Sequence, residues 1–148
     1  MSATNDLNKQ IETLGNLRGG KFWRNNSGGR YMSGRFVHFG LTGSGDILGC
    51  YRGFFVSIET KIGADKASAD QVQFAQDIQE CGGFAIFAKS LEDAERLFDQ
   101  IDSLVSEREA DRKIAKMAEK VMTGLDLSNS IDDRRHSMTD SAVNDRPG

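Results

Sequence analysis

The stretch GDILGCYRGFFVSIETK, residues 45–61, has an acid near its start and Glu-Thr-Lys at its end. Between these charges, two apolar segments rich in Ile, Phe, Val and Tyr meet at an Arg-Gly pair, which predicts an antiparallel β-hairpin. A turn centred on that pair places Asp46 opposite Glu59, and strand alternation places Lys61 on the same face as Glu59. Opposed side chains have Cβ atoms about 4.5 to 5.5 Å apart, so two like charges there are destabilising unless a cation bridges them.

Two carboxylates at one point suit a hard divalent cation such as Mg²⁺. This ion takes one or two protein carboxylates and keeps water and substrate phosphate in its other positions. A neighbouring amine can orient a metal-bound water or stabilise the charge that develops on phosphorus. The alternative is a surface ion pair at the hairpin end, between Lys61 and either Asp46 or Glu59. The residues alone leave both interpretations open.

The elements around this hairpin follow the order helix, strands, helix, strand, helix. Apolar residues at helical spacing predict helices within residues 4–18, 68–81 and 90–107, and FAIFAK, residues 84–89, is typical of a short buried strand. Residues 22–35 combine a short apolar piece with Gly, Ser and Asn at the density of a loop. This order predicts the α/β class, with a mixed β-sheet flanked by helices.

The composition changes near residue 106. We expect one domain over residues 1–105 and a C-terminal extension over residues 106–148. The extension begins with READRKIAKMAEKVM, which can prolong the last helix. It ends in a segment rich in Ser, Asp and Asn, a composition typical of disordered tails.

The charges are unevenly distributed along the chain. Residues 1–66 carry nine Lys/Arg and five Asp/Glu, a net charge of +4, whereas residues 67–148 carry ten against seventeen, a net charge of −7. A basic first half is compatible with a surface that binds a polyanion, and an unevenly charged solvated surface explains it equally well.

The sequence also bears on the compartment. It has no apolar run long enough to span a bilayer and no charged segment followed by an apolar leader, so we expect a cytoplasmic protein without a membrane partner. Cys50 and Cys81 have no metal-ligand spacing, and we expect them to be buried reduced thiols.

The motif series GSGDILG, a hydrophobic strand, IETK, SADQVQF and GGFAIFAKSLEDA resembles the PD-(D/E)xK nuclease superfamily. The resemblance is to its small stand-alone VRR-NUC branch of phages and bacteria, and it covers residues 4–104. FWRNNSGG is similar to the aromatic-Arg-Asn segment that precedes this core in many such proteins. The resemblance implies a restriction-endonuclease-like fold, with the nuclease domain in residues 1–105, in the cytoplasm of a bacterium or a phage-infected host cell.

The resemblance also implies a role for each residue of the motif. Asp46 and Glu59 would be ligands of Mg²⁺ or Mn²⁺, together with the main-chain carbonyl of Thr60. Lys61 would be the catalytic lysine, and Gln71 would help to order the active site.

Some positions depart from the family pattern. The N-terminal helical acid of the family, usually Glu, corresponds to Asp6 or alternatively to Glu12. Thr60 stands where the family often has an aliphatic residue, and we expect its side chain to face away from the metal. Gly45 stands where proline or serine is commoner, and we expect little consequence.

The remaining candidates concern DNA binding. The expected phosphate contacts, for which a solvated loop is the alternative, are Arg24, Asn25, Arg30 and Lys66. Trp23 could stack on a base, but a partly buried core position is the commoner role of such a residue. His38 lies among aromatic residues in a predicted strand, where a satisfied structural histidine is the expected reading.

The predicted function is a metal-dependent DNA endonuclease that hydrolyses phosphodiester bonds. The resemblance implies that the substrate is branched or otherwise structured duplex, and so small a core has no room for a separate base-reading module. A symmetric homodimer would reach both strands most easily. The alternative is a non-catalytic DNA-binding or scaffolding module with the same fold, whose mark would be a missing Asp, Glu or Lys in the motif.

Overall fold

In the computed structural model, the backbone is described for residues 2–140 and the side chains for residues 2–125. Apart from short turns and loops, these residues form helices and strands. In chain order they are α1 (Ala3–Leu17), β1 (Lys21–Arg24), β2 (Gly28–Met32), β3 (Arg35–Phe39), β4 (Ile47–Tyr51), β5 (Phe54–Thr60), α2 (Ala69–Glu80), β6 (Phe84–Ala88) and α3 (Leu91–Asp140).

The main sheet has the strand order β1-β4-β5-β6. Strands β1, β4 and β5 are antiparallel neighbours, and β6 runs parallel to β5. The prediction of a mixed sheet flanked by helices is therefore confirmed. The predicted register of the central hairpin is also confirmed, since Ile47 pairs with Ile58 and Tyr51 pairs with Phe54.

The turn of the central hairpin consists of two residues with left-handed backbone. Arg52 has φ 51° and Gly53 has φ 85°, as type I′ turns require. A side chain of α3 fixes this turn from outside the strands, because Arg52 Nε donates a hydrogen bond of 2.8 Å to Asp102 and the Tyr51 hydroxyl donates to the same carboxylate.

The core lies between one face of the sheet and the helices α1 and α3. Alternate residues of β4 and β5 enter it, as the apolar pattern predicts. The buried apolar cluster consists of Leu7, Ile11, Phe22, Ile47, Tyr51, Val56, Ile58, Ala88, Ala94, Leu97, Phe98 and Ile101. The other face of β5 carries Glu59, which contacts Gln71 of α2 and belongs to the candidate site.

The segment between β1 and β4 differs from its prediction. Residues 28–32, expected to be loop, pair with residues 35–39 as a separate two-stranded sheet. The histidine expected to have a structural role, His38, is exposed in this hairpin and contacts the Phe36 ring. Because no residue of the hairpin enters the core, the sequence lacks the alternation of apolar and polar residues that predicts a strand. Small, basic and aromatic residues alternate there instead.

Two expectations of burial are corrected. Cys50 and Cys81 are both exposed free thiols, because Cys50 follows the outward phase of β4 and Cys81 caps the end of α2. Trp23 in β1 is also exposed rather than part of the core, because its neighbour Phe22 takes the inward position of that short strand.

The chain divides into two compact units, Met1–Val105 and Ser106–Gly148. Helix α3 continues to Asp140, so the expectation of a disordered segment after residue 122 differs from the structure over residues 123–140. The sequence there has no proline before Pro147, and a continuous helix meets no strong breaker. Residues 141–148 lie outside the described residues. None of the described helices combines the length and apolar composition that a membrane crossing needs.

Candidate active site

The loop before β4 is held by hydrogen bonds from Asn25. Its backbone N–H donates to the Asp46 carbonyl at 2.8 Å, and its Nδ2 donates to Ser44 Oγ at 2.7 Å and to the Gly45 carbonyl at 2.9 Å. Asn25, predicted as a phosphate contact, therefore has its amide directed at the loop that presents Asp46. The contact positions this carboxylate.

Gly45 allows the same loop to approach β5 closely. A Cβ atom at this position would lie 2.5 Å from Ser57 Oγ and 2.8 Å from the Ile58 carbonyl oxygen. Any side chain would push the loop away from the strand and move Asp46 with it. Gly45 is thus a steric requirement of the site, contrary to the expectation that this position has little consequence.

Asp46 is bound to the last residue of β5. Its Oδ2 accepts hydrogen bonds from the Thr60 backbone N–H at 3.0 Å and from the Thr60 hydroxyl at 2.7 Å. The expectation that the Thr60 side chain faces away from the site is therefore wrong, because strand β5 ends here and its final side chain turns toward the carboxylate. Asp46 Oδ1 accepts no hydrogen bond among the described residues, so it is available to another ligand.

Glu59 and Lys61 form an ion pair that is largely withdrawn from solvent. Lys61 Nζ lies 3.1 Å from Glu59 Oε1, and their side chains are 8% and 12% exposed. Lys61 Nζ also lies 3.4 Å from Asp65 Oδ2, on the loop that follows β5. Glu59 and Lys61 of the predicted cluster are therefore in contact at the end of β5, on either side of Thr60, which is hydrogen-bonded to Asp46.

The charges of the cluster perturb one another. Burial raises the pKa of Glu59 and the nearby charge of Asp46 raises it further, while the hydrogen bond and charge of Lys61 act in the opposite direction. Burial alone lowers the pKa of Lys61, but Glu59 and Asp65 outweigh burial, and the net pKa of Lys61 is raised. Lys61 is therefore a cation at neutral pH, and Glu59 holds its negative charge at an energetic cost.

Gln71 connects this cluster to the start of α2. Its Oε1 accepts from the Ser68 backbone N–H at 2.9 Å, and its backbone N–H donates to the Ser68 hydroxyl, which together form a capping box. The amide nitrogen is then left to donate to Glu59 Oε1 at 2.5 Å. The helix cap thus fixes which end of the Gln71 amide faces the carboxylate.

An open cleft lies beside Asp46. It has a volume of about 530 Å³, and its lining includes Arg24, Asn25, Arg30 and Asp46. Three of the predicted phosphate contacts, Arg24, Asn25 and Arg30, therefore lie on the same cleft as the first carboxylate. Arg24 also donates a hydrogen bond of 2.8 Å to the Asn5 side chain of α1.

The other predicted residues lie elsewhere. Lys66 is exposed in the loop before α2 and is not part of the lining of this cleft. Of the two candidate N-terminal acids, Asp6 is exposed in the first turn of α1 and Glu12 is half-buried. Neither makes a hydrogen bond or ion pair with the cluster among the described residues.

Asn8 is a residue that the sequence did not indicate. It is fully buried on α1, and neither atom of its side-chain amide has a hydrogen-bond partner among the described residues. Buried unsatisfied amides are rare in folded proteins. The available signal was a polar residue next to Leu7 in the apolar stripe of α1.

The protein is a mixed α/β structure in which Asp46, Glu59 and Lys61 lie at the carboxyl end of the interior strand β5. The side chains of the described residues form no group of three or more His, Cys, Asp or Glu arranged to hold a metal ion. The sequence matches no protein-family model, and no curated protein is significantly similar to it. The geometry of this cluster and its cleft is therefore the basis on which a function is inferred.

Proposed function

We propose that the protein is a metal-dependent DNA endonuclease with a restriction-endonuclease-like fold. The observation that carries this proposal is the convergence of Asp46, Glu59 and Lys61 at the end of β5, with Gln71 bound to the same Glu59 oxygen. A surface ion pair alone does not account for this arrangement, since two carboxylates and a lysine are brought together where the side chains are largely buried.

The residues fit a divalent cation of the Mg²⁺ type. Asp46 Oδ1 accepts no hydrogen bond among the described residues. The pKa of Glu59 is raised by burial and by the charge of Asp46, and a bound cation would lower that pKa. Asp46 and Glu59 would hold the ion, and the Thr60 carbonyl is the proposed third ligand. When bound, Mg²⁺ or Mn²⁺ supplies an activated water and neutralises charge on the phosphate.

Lys61 acts in this proposal through its positive charge. Its raised pKa keeps the amine protonated near neutral pH, so it donates hydrogen bonds and does not accept a proton from water. A protonated amine beside the carboxylates can hold a phosphate oxygen and stabilise the additional negative charge of the transition state. Gln71 supports this role by fixing the orientation of Glu59.

The cleft beside Asp46 supplies the path for the DNA backbone. Arg24 and Arg30 line it, and arginine is well suited to bind phosphate. Each phosphate contact adds to the salt dependence of binding. Lys66, exposed on the next loop, is a proposed peripheral phosphate contact.

Three finer points belong to the same proposal. The substrate is branched or structured duplex, the active form is a homodimer, and the protein acts in the cytoplasm of a bacterium or a phage-infected cell. The alternative is a non-catalytic DNA-binding module, which is favoured because the described side chains form no group of three or more His, Cys, Asp or Glu that could hold a metal ion.

Cleavage assays with designed variants test the proposal. Purified protein is incubated with labelled linear, flap and four-way DNA in Mg²⁺, Mn²⁺ or EDTA. The wild type should cut in either metal, whereas Asp46→Asn, Glu59→Gln and Lys61→Met should lose several orders of magnitude in rate. Glu80→Gln, an exposed carboxylate at the end of α2, is the matched control and should cut normally.

A second readout does not depend on catalysis. Mg²⁺ should raise the melting temperature of the wild type and of Glu80→Gln, because an ion that binds only the folded state stabilises it. The shift should be much smaller for Asp46→Asn. An Asp46→Asn protein that cuts at the wild-type rate would refute the metal site, and a wild type that binds DNA but never cuts it would favour the non-catalytic module.

A further inference from the structure

The β2–β3 hairpin, residues 28–39, stands apart from the main sheet. All ten residues of its two strands are exposed, and its turn at Ser33 and Gly34 has left-handed backbone at both positions. Large apolar residues that are exposed together on one hairpin are unusual unless that surface binds a ligand or a partner. Those with the highest exposure in this hairpin are Tyr31 and Phe36, at 77% and 48%.

The two faces of the hairpin differ in chemistry. One face carries Tyr31, Phe36 and His38 as a row of rings, with centroid distances of 5.2 Å between the first two and 4.7 Å between the last two. The Phe36 ring lies over Gly29, where a Cβ atom would be only 2.6 Å from the ring. This face will be called the aromatic face.

The opposite face carries two arginines beside the exposed apolar side chains of Met32, Val37 and Phe39. The pairing places Arg30 beside Val37 and Arg35 beside Met32, and paired residues point to the same side of a hairpin. Neither arginine makes a hydrogen bond or ion pair with any of the described residues. This face will be called the arginine face.

Each face borders a cleft that reaches the candidate active site. The arginine face contributes Arg30 and Phe39 to the cleft of about 530 Å³ that contains Asp46. The aromatic face contributes Phe36 and His38 to a second cleft of about 340 Å³, which extends to Gln71. The hairpin therefore lies between two clefts, one lined in part by Asp46 and the other by Gln71.

The charge of the surrounding segment favours one kind of occupant. Residues 21–45 contain four Lys/Arg and no Asp/Glu, so the segment attracts polyanions. Surfaces that bind single-stranded nucleic acid combine such cations with exposed aromatic rings, because the cations track the phosphates and the rings stack on bases. A fully paired duplex offers phosphates to the arginine face but no free base to the aromatic face.

We propose that the β2–β3 hairpin is a strand-separating wedge for branched DNA. The arginine face holds the phosphates of the strand that passes Asp46, and the aromatic face stacks an unpaired base through Tyr31. This inference rests on the proposed function for the identity of the ligand as DNA. It assigns the preference for branched substrates to one hairpin and to one ring in particular.

The test measures binding of the full-length chain in EDTA, so that it needs no cleavage. Fluorescence anisotropy gives affinities for a blunt duplex and for a flap of the same sequence, and a 2-aminopurine base at the flap junction reports stacking. Tyr31→Ala should weaken flap binding by about 5-fold to 100-fold, abolish the 2-aminopurine quenching, and leave duplex affinity within about 2-fold. Tyr31→Phe should keep both, because it retains the ring.

Two further variants control for general effects. Leu17→Ala removes an apolar residue of similar exposure, 81%, at the end of α1, and should leave both affinities unchanged. Arg35→Gln should weaken binding to flap and duplex alike and reduce the slope of log K against log salt by about one. Tyr31 is so exposed that its replacement should not alter the melting temperature.

The outcomes separate the inference from the proposed function. A protein that cuts DNA, but whose Tyr31→Ala variant binds flap as tightly as the wild type, would overturn the wedge alone. A protein that never cuts, yet quenches 2-aminopurine through Tyr31, would overturn the nuclease alone. Light scattering adds one more outcome: conversion of a dimer to a monomer by Tyr31→Ala would identify the aromatic face as a contact between copies of the chain and refute the wedge.

Discussion

Replacement of Lys61 by methionine should make the stability of the folded protein depend on the protonation of Glu59. The variant keeps most of the length of the side chain and removes its charge, 3.1 Å from Glu59 Oε1. Removal of one partner from a buried ion pair costs about 3 to 5 kcal/mol when the remaining charge cannot escape. The side chains here are 8% and 12% exposed, but the Gln71 amide still donates to Glu59 in the variant, so we expect a cost at the lower end of this range.

The expected cost is smaller at low pH. Burial and Asp46 already raise the pKa of Glu59, and loss of Lys61 raises that pKa further. A carboxyl group whose pKa is higher in the folded state contributes stability below its unfolded pKa, and this stability is lost as the pH rises through the folded pKa. Lys61 itself, whose pKa is raised by Glu59 and Asp65 against the effect of burial, stays charged in the wild type throughout the range from pH 5 to pH 8.

We therefore expect Lys61→Met to lose about 3 kcal/mol of unfolding free energy at pH 8 and about 1 kcal/mol at pH 5, since each pKa unit corresponds to about 1.4 kcal/mol. Addition of Glu59→Gln should restore most of the loss at pH 8. Urea denaturation in EDTA measures these values, and at an m-value of about 1.5 kcal/mol/M a loss of 3 kcal/mol lowers the midpoint by about 2 M.

Lys66→Met is the matched control, because it removes an exposed lysine from the neighbouring loop and should change stability by less than about 0.5 kcal/mol at either pH. Equal losses for Lys61→Met at pH 5 and pH 8, or no recovery in the double variant, would refute the reasoning. Either result would mean that the lysine contributes through packing and that Glu59 does not respond to its charge.

Two more variants address the neighbouring elements. Gln71→Ala should lower the unfolding free energy by about 1 to 2 kcal/mol, because it loses the capping bond to Ser68 and the bond to Glu59; urea denaturation should show a smaller loss for Gln73→Ala on the same helix. A chain that ends after Val105 should unfold within about 1 kcal/mol of the full chain, because the described side chains of residues 106–125 are all exposed. A large loss of stability in the shortened chain would assign a structural role to the extension. So would a melting temperature that depends on protein concentration for the full chain but not for the shortened one, because this would show that the extension holds an oligomer together.

Much of the central hairpin was determined by the sequence alone. In β4 and β5 the apolar residues alternate with others, and only one assignment of faces buries Ile47 and Ile58 together. The hairpin can turn only at the Arg52-Gly53 pair. These two local constraints fix the register. Because a strand residue and the one two places further share a face, Glu59 and Lys61 had to lie together. The capping box that orients Gln71 was likewise readable, as Ser-x-x-Gln before a helix.

Other features depended on contacts between distant segments, which no local pattern encodes. The sequence around Asn25 is equally compatible with a side chain exposed to solvent. Its amide donates to Ser44 and Gly45 because tertiary packing brings the loop before β4 next to it. The Thr60 hydroxyl donates to Asp46 at the end of β5, where the alternation of side chains between the two faces of the strand no longer fixes their direction. The sequence of the β2–β3 hairpin has no regular apolar pattern that would predict its strands, because its side chains are exposed and enter no core. Sequence periodicity reports which residues are buried, so it located the hairpin that carries the carboxylates, whereas tertiary packing decided how the surrounding polar groups hold them.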